Sequence, residues 1–167
     1  MTVTAIMALA ATLHAPILLT VPSAYRQVAA EYDVPADLLF AVALTESGRP
    51  MGERSAPWPW TLNVNGRPYR YDTMEAAEGA LRGFLSQGLF PDVGLMQISW
   101  RYHSELLGDP SQALDPWFNL RAGASLLREA YERTGDWWSA IGRYHSSKPE
   151  RAKAYRRRVA QWHRRIG

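Results

Sequence analysis

The 167-residue chain has no cysteine. That absence excludes disulfide frameworks, thiolate zinc sites and cysteine nucleophiles. Charge is missing from the first 25 residues, where no Asp, Glu, Lys or Arg precedes Arg26. Histidine is sparse: His14, His103, His145 and His163 include no pair spaced like His-Glu-x-x-His, so no metal site is expected. Neither glycine-rich phosphate loop occurs, and there is no Gly-x-Ser-x-Gly elbow. Internal repeats, low-complexity runs and linkers are also missing. A chain of this length without them reads as one domain.

The residues present argue for a folded body. The composition is 47% hydrophobic and 21% charged, unlike a disordered or polytopic membrane chain. The net charge of +3 is unevenly spread. From Pro149 to Gly167 there are seven Lys/Arg against one acid, Glu150, whereas the rest holds 12 basic and 15 acidic residues. The basic segment has an apolar seam of Tyr155, Val159, Trp162 and Ile166 at helical spacing. It reads as a docked helix with a solvated cationic face, the alternative being a nucleic-acid or anionic-surface contact.

Residues 1–24 form a candidate signal or anchor segment, with apolar runs at 6–11 and 17–21. Three features weigh against export by this segment. No cation precedes the runs, Pro16 and Pro22 interrupt them, and the small-x-small pattern Ala8-Leu9-Ala10 comes early. A plain buried N-terminal segment is the alternative. Residues 25–167 are then the domain.

Within the domain the pattern is mainly helical, with one hairpin, an α+β arrangement. Asp33 is a candidate cap for a helix opened by Pro35 and ended by Gly48 and Pro50. Asn65-Gly66 between two β-prone runs predicts a tight hairpin, with Pro68 marking an edge strand. Thr73 caps a helix running to Gly88, a short helix covers 99–107, and Pro116 opens a long one that Gly135 stops. Trp137–Tyr144 and the segment from Pro149 complete the set.

Glu46 is the residue that asks for a reason. It lies in the last turn of an almost wholly apolar helix, where the helix dipole disfavours negative charge and burial would raise its pKa. That suits a general acid, although a cap or ion pair at the helix end fits equally well. Gln97, amid Leu95, Met96 and Ile98, needs partners if buried, or serves an N-acetyl group. Gly142 allows close approach around Tyr144. Ser146-Ser147 after His145 is a poor nucleophile and base, because adjacent residues do not face each other on a helix.

Thr45-Glu46-Ser47-Gly48, Gly94-Leu95-Met96-Gln97-Ile98 and Ala140-x-x-x-Tyr144, in that order, resemble the lytic transglycosylases of the soluble-lytic-transglycosylase type. Asp115-Pro116-x-x-Asn119-x-x-x-Gly123 is similar to the family's stretch before its long helix. Trp58-Pro59-Trp60-Thr61-Leu62-Asn63 and Tyr144-His145-Ser146-x-x-Pro149-Glu150-Arg151 look like the branch associated with conjugation, secretion or flagellar assembly. The resemblance spans roughly residues 25–160.

It implies a lysozyme-like helical domain with a small hairpin beside the active-site groove. It further implies cleavage of the bond between N-acetylmuramic acid and N-acetylglucosamine in peptidoglycan, with closure of a 1,6-anhydro ring. Glu46 would be the sole acid/base, helped by the substrate's own N-acetyl group. Ser47, Met96, Gln97, Tyr144 and His145 would contact the glycan. No cofactor and no nucleic acid are implied. The protein would act in the periplasm or otherwise exported from a bacterium, with a secretion or conjugation apparatus as a partner and membrane contact through the N-terminal segment.

The chain departs from the family where Tyr144 is followed by His145-Ser146-Ser147, which leaves the role of His145 open. The hairpin lengthens the stretch between Glu46 and Gly94 and is expected to border the groove. Two other readings stand beside this one. A lysozyme-type hydrolase would use Asp92 as a second carboxylate, although Asp before a glycine turn is ordinarily a turn residue. A non-catalytic protein would bind glycan, or nucleic acid through its basic C-terminal helix. Trp58 and Trp60 either stack on sugars or pack the hairpin, Trp137 and Trp138 read as core, and Asn119 reads as a holder of backbone groups.

Overall fold

A computed structural model describes residues 18–52 and 54–167. Eight helices and six short strands occur among them. Helix α1 (Ser23–Glu31) packs against α2 (Ala36–Ser47), the most apolar helix among the described residues. Leu39, Ala41, Val42 and Ala43 are fully buried on successive faces of α2, so it runs through the core with no wet side. Asp33 does not cap α2. It sits in a turn at φ 53° and pairs with Arg128, while Pro35 occupies the cap position without a side-chain bond. Asp37 contributes instead, its Oδ1 accepting from the Leu38 N–H at 2.9 Å.

After α2 the chain forms two small sheets. Strands β1 (Gly48–Met51) and β2 (Arg54–Pro57) pair antiparallel, a hairpin that the glycine and proline content of this stretch hid. The predicted hairpin is present as β3 (Thr61–Val64) and β4 (Arg67–Arg70). Asn65 and Gly66 both have positive φ, 53° and 84°, as a two-residue primed turn requires. Strand β3 also pairs with β5 (Asp92–Val93), which pairs with β6 (Ile98–Ser99), in the order β4-β3-β5-β6. Pro68 therefore sits on an edge strand, where its missing N–H costs no ladder bond.

Between these strands lies α3 (Met74–Ser86), whose Thr73 accepts from the Ala76 N–H. Next come α4 (Trp100–Leu107) and α5 (Pro110–Leu114), the latter a short helix capped by Asp109 that has no apolar period to announce it. The long helix α6 (Pro116–Thr134) starts at an Asp115 cap and ends on Gly135. It packs against α7 (Trp137–His145), and α7 packs against α8 (Pro149–His163).

Helix α8 lies along α2, burying Tyr155 and Val159 and leaving Arg151 and Arg157 exposed. His163 Nε2 lies 2.8 Å from Asp37 Oδ2, joining the end of α8 to the start of α2. The Leu19 N–H donates to the Arg165 carbonyl, and the Gly167 N–H donates to the Leu19 carbonyl. Residues 18–24 are thus tied to the domain, and the remainder of the candidate signal or anchor segment lies outside the described residues. No helix among the described residues is long and apolar enough to cross a membrane.

Candidate active site

Helices α2, α4, α6, α7 and α8 and strands β3, β5 and β6 border one cleft of about 640 Å³. Glu46 lines it from the last turn of α2. Its side chain keeps a partial opening to the cleft while protein atoms surround most of it. Burial pushes the carboxyl up to about 7. A hydrogen bond from Tyr155 and the positive field of Arg158 pull the other way, and Asp92 adds a small upward push. The Tyr155 hydroxyl donates to Glu46 Oε1 at 2.6 Å. No donor among the described residues reaches the other carboxyl oxygen, so it faces the cleft free.

Tyr155 is the site residue that sequence reasoning placed only in an apolar seam. The one clue was its phenol, since a buried tyrosine hydroxyl needs a partner. Burial beside Glu46 drives its pKa well up, so it stays a donor. The His145 ring stacks on the Tyr155 ring, centroids 4.4 Å apart and 2° from parallel. His145 is exposed and lines the cleft, and its pKa is lowered by burial of the ring face and by Arg158 and Arg151.

The loop carrying Gly94-Leu95-Met96-Gln97 faces Glu46 and is held from below by Asn119. That fully buried amide accepts from the Met96 N–H at 2.9 Å and donates to the Val93 and Ala113 carbonyls at 3.0 Å each. Asn119 thus holds backbone groups, as its sequence context indicated. Gly94 has φ 82°, and a Cβ there would lie 2.4 Å from the Asn119 amide, so glycine is required twice over. Met96 packs down onto Gly123 of α6, where a Cβ would approach its side chain to 2.4 Å.

Gln97 adopts φ 47°, a left-handed conformation that non-glycine residues rarely take. Its amide nitrogen donates to the Thr61 carbonyl at 3.0 Å and the Gly94 carbonyl at 2.9 Å. The carbonyl oxygen of the side chain is left to the cleft. Tyr144 lines the cleft as well, its hydroxyl donating to the Met96 carbonyl at 2.8 Å.

Ser47 and Met96 do not line the cleft. The Ser47 hydroxyl is buried and donates to the Leu95 carbonyl at 2.8 Å, locking the end of α2 to the loop. Both backbone groups of Met96 are engaged by Asn119 and Tyr144. These two residues, for which the motif suggested glycan contact, support the wall from behind its lining.

Trp58 and Trp60 also lie off the cleft. Trp58 Nε1 donates to the Tyr71 carbonyl at 2.7 Å, and Trp60 packs edge-on against it, so packing is their role here. The hairpin does border the cleft, through Asn63. Trp137 stacks on Tyr131, whereas Trp138 is surface-exposed with its edge on His163, contrary to the core reading. Ser146 accepts from the Lys148 N–H and makes no hydrogen bond with His145.

Asp92 lines the same cleft from β5, and burial raises its pKa while Ser99 opposes the shift. Tyr102, 78% exposed, stands on α4 just before a break at His103, whose φ of −134° is not helical. Among the described residues no cluster of three or more His, Asp or Glu is arranged to hold a metal.

The family described as "Transglycosylase SLT domain" matches residues 23–164 of the chain. No curated protein matches, and no solved structure does.

Proposed function

The chain belongs to the transglycosylase SLT domain family, whose members cleave peptidoglycan, and from that premise we propose a single-carboxylate lytic transglycosylase with Glu46 as its acid/base. The observation that carries this reading is the Glu46 carboxyl, held at about 7 at the end of a buried helix with one oxygen open to the cleft. The reaction asks the same group for a proton and then for its return. A pKa near ambient pH serves both halves.

In the first half, neutral Glu46 gives its proton to the oxygen bridging muramic acid and glucosamine. The glycosidic bond breaks, and the N-acetyl oxygen of the muramic residue supports the electron-poor carbon. In the second half, carboxylate Glu46 takes the proton of the C6 hydroxyl, whose oxygen closes the 1,6-anhydro ring. No water is consumed, and only one protein carboxylate is needed. Tyr155 holds Glu46 by one oxygen so that the free oxygen carries the proton. Gln97 offers its side-chain carbonyl to a sugar N–H or hydroxyl, and Tyr144 and His145 form the facing wall.

A hydrolytic alternative rests on Asp92, a second carboxylate in the cleft that could hold a water. Mass spectrometry of the products from purified sacculi separates the two. Muropeptides ending in 1,6-anhydro sugar, absent with Glu46→Gln, support the transglycosylase. Reducing ends place water in the reaction and direct attention to Asp92→Asn.

Cleavage of peptidoglycan implies a site of action beyond the cytoplasmic membrane. The proposal therefore includes export of the domain, with the candidate signal or anchor at 1–24 as the means and a secretion or conjugation apparatus as the setting. Detection of the protein in a periplasmic or culture fraction, lost on deleting residues 1–17, tests the export step.

A further inference from the structure

Two arginines face the cleft without an acidic partner. Arg143 comes from α7 and Arg158 from α8, and both line the cleft beside Glu46. Neither has a carboxylate within ion-pair distance among the described residues, whereas Arg133, which also lines the cleft, pairs with Glu129. The nearby acids do not neutralise them. Glu129 is paired with Arg133, Asp92 lies beside Ser99, and Glu46 is largely protonated below neutral pH. The positive field reaches the neighbouring imidazole, since Arg158 contributes to the lowered pKa of His145.

We infer that Arg143 and Arg158 form a carboxylate-binding wall that recognises the acidic stem peptides carried by the glycan. This rests on the peptidoglycan reading above. In the peptide-bearing strand the muramic lactyl carboxyl is tied up as an amide, so the sugars themselves present only hydroxyl and N-acetyl groups and give a guanidinium little to pair with. The peptide hangs from the lactyl group of the muramic residue and brings several carboxylates. A guanidinium presents a planar fork of donors that matches a carboxylate in two places. Arg158 also acts on the Glu46 carboxyl, which places this wall at the residue whose bond is cleaved. The cleft thus selects peptide-bearing over stripped strands.

The test is binding, measured by calorimetry with the inactive Glu46→Gln protein. Three ligands share one glycan chain: stripped of peptide with each freed lactyl carboxyl capped as its methylamide, carrying stem peptides, and carrying stem peptides whose carboxylates are amidated. The peptide-bearing ligand should bind about tenfold tighter than the other two, and added salt should reduce the difference. Arg143→Gln with Arg158→Gln, in the Glu46→Gln background, should erase the preference and leave binding of the stripped chain within about twofold. Arg143→Lys should restore part of it, because charge remains while the fork is lost.

Equal affinity for all three ligands overturns the inference, as does failure to bind any of them. So does a double variant that weakens the stripped ligand as much as the peptide-bearing one. The product analysis of the wild type is a separate readout, so a hydrolytic or absent cleavage reaction would be recognised independently of this result.

Discussion

The two walls that meet at Glu46 use their polar groups in opposite ways. The Gly94–Gln97 loop spends them on itself. Asn119 makes three buried bonds to backbone, Ser47 ties the loop to α2, and the Gln97 amide nitrogen is held by two carbonyls. The α7–α8 wall turns the exposed His145 ring, Arg143 and Arg158 toward the cleft, and from behind them the buried Tyr155 hydroxyl reaches Glu46. One wall is bound into a fixed shape, and the other carries charged and titratable side chains beside Glu46. Damage to the first should appear as lost stability, and damage to the second as altered pH dependence or selectivity.

The largest effect belongs to the residue that both walls serve. Glu46→Gln should lower the rate on sacculi by about 10²–10⁴-fold, read as anhydro-muropeptide release. The same substitution has a stability signature. The Glu46 carboxyl, normally near 4.5, sits at about 7 in the fold, so the folded protein holds a proton that the unfolded chain releases in that window. Its contribution to stability is complete below the unfolded value and lost as pH rises through about 7. The unfolding free energy of Glu46→Gln relative to the parent should therefore rise by about 3 kcal/mol between pH 4 and pH 8, measured by urea titration. A constant difference would mean that Glu46 is not desolvated.

Asn119→Ala comes next and probes the shape wall. It leaves the Met96 N–H and two carbonyls buried without partners and should cost about 3 kcal/mol of stability, by urea denaturation. The pH optimum of whatever folds should stay where it was. A moved optimum would break the division between the walls. Gly94→Ala should cost about 2 kcal/mol, through backbone strain and the clash with the Asn119 amide.

The smallest change tests the other wall. Tyr155→Phe keeps the ring and its stacking with His145 and removes one hydrogen bond. That bond favours the charged form of Glu46, so its loss should move the alkaline limb of the pH–rate profile upward. The rate at neutral pH should fall about tenfold, with a stability change of about 1 kcal/mol. A rate loss without a moved limb would reduce Tyr155 to a packing residue.

The shape wall was largely legible in the sequence, whereas of the chemical wall only His145 stood out as a candidate site residue. Glycine at 94, a lone glutamine among apolar residues and an aspartate before Pro116 are local signals with local causes. Most helix limits and the Asn65-Gly66 turn follow from the same kind of cue. Tyr155 meets Glu46 across 109 positions, and nothing near Tyr155 distinguishes a phenol aimed at a carboxylate from one filling a seam. The orientation of Ser47 and the two tryptophans off the cleft fail to show for the same reason: each is decided by what another element brings. The β1–β2 hairpin stayed hidden because Gly48 and Pro50 signal a helix stop equally well.

The bridge between Leu19 and Ile166 brings the two ends of the domain to one point on its surface. Any chain continuing past either end leaves from the same place, so a tether at one end or at both suspends the enzyme from a single pivot. The geometry also suits circular permutation. Joining the ends with a short peptide and opening the chain at Asn65-Gly66 cuts only an exposed turn and leaves α2, the loop and α8 each unbroken.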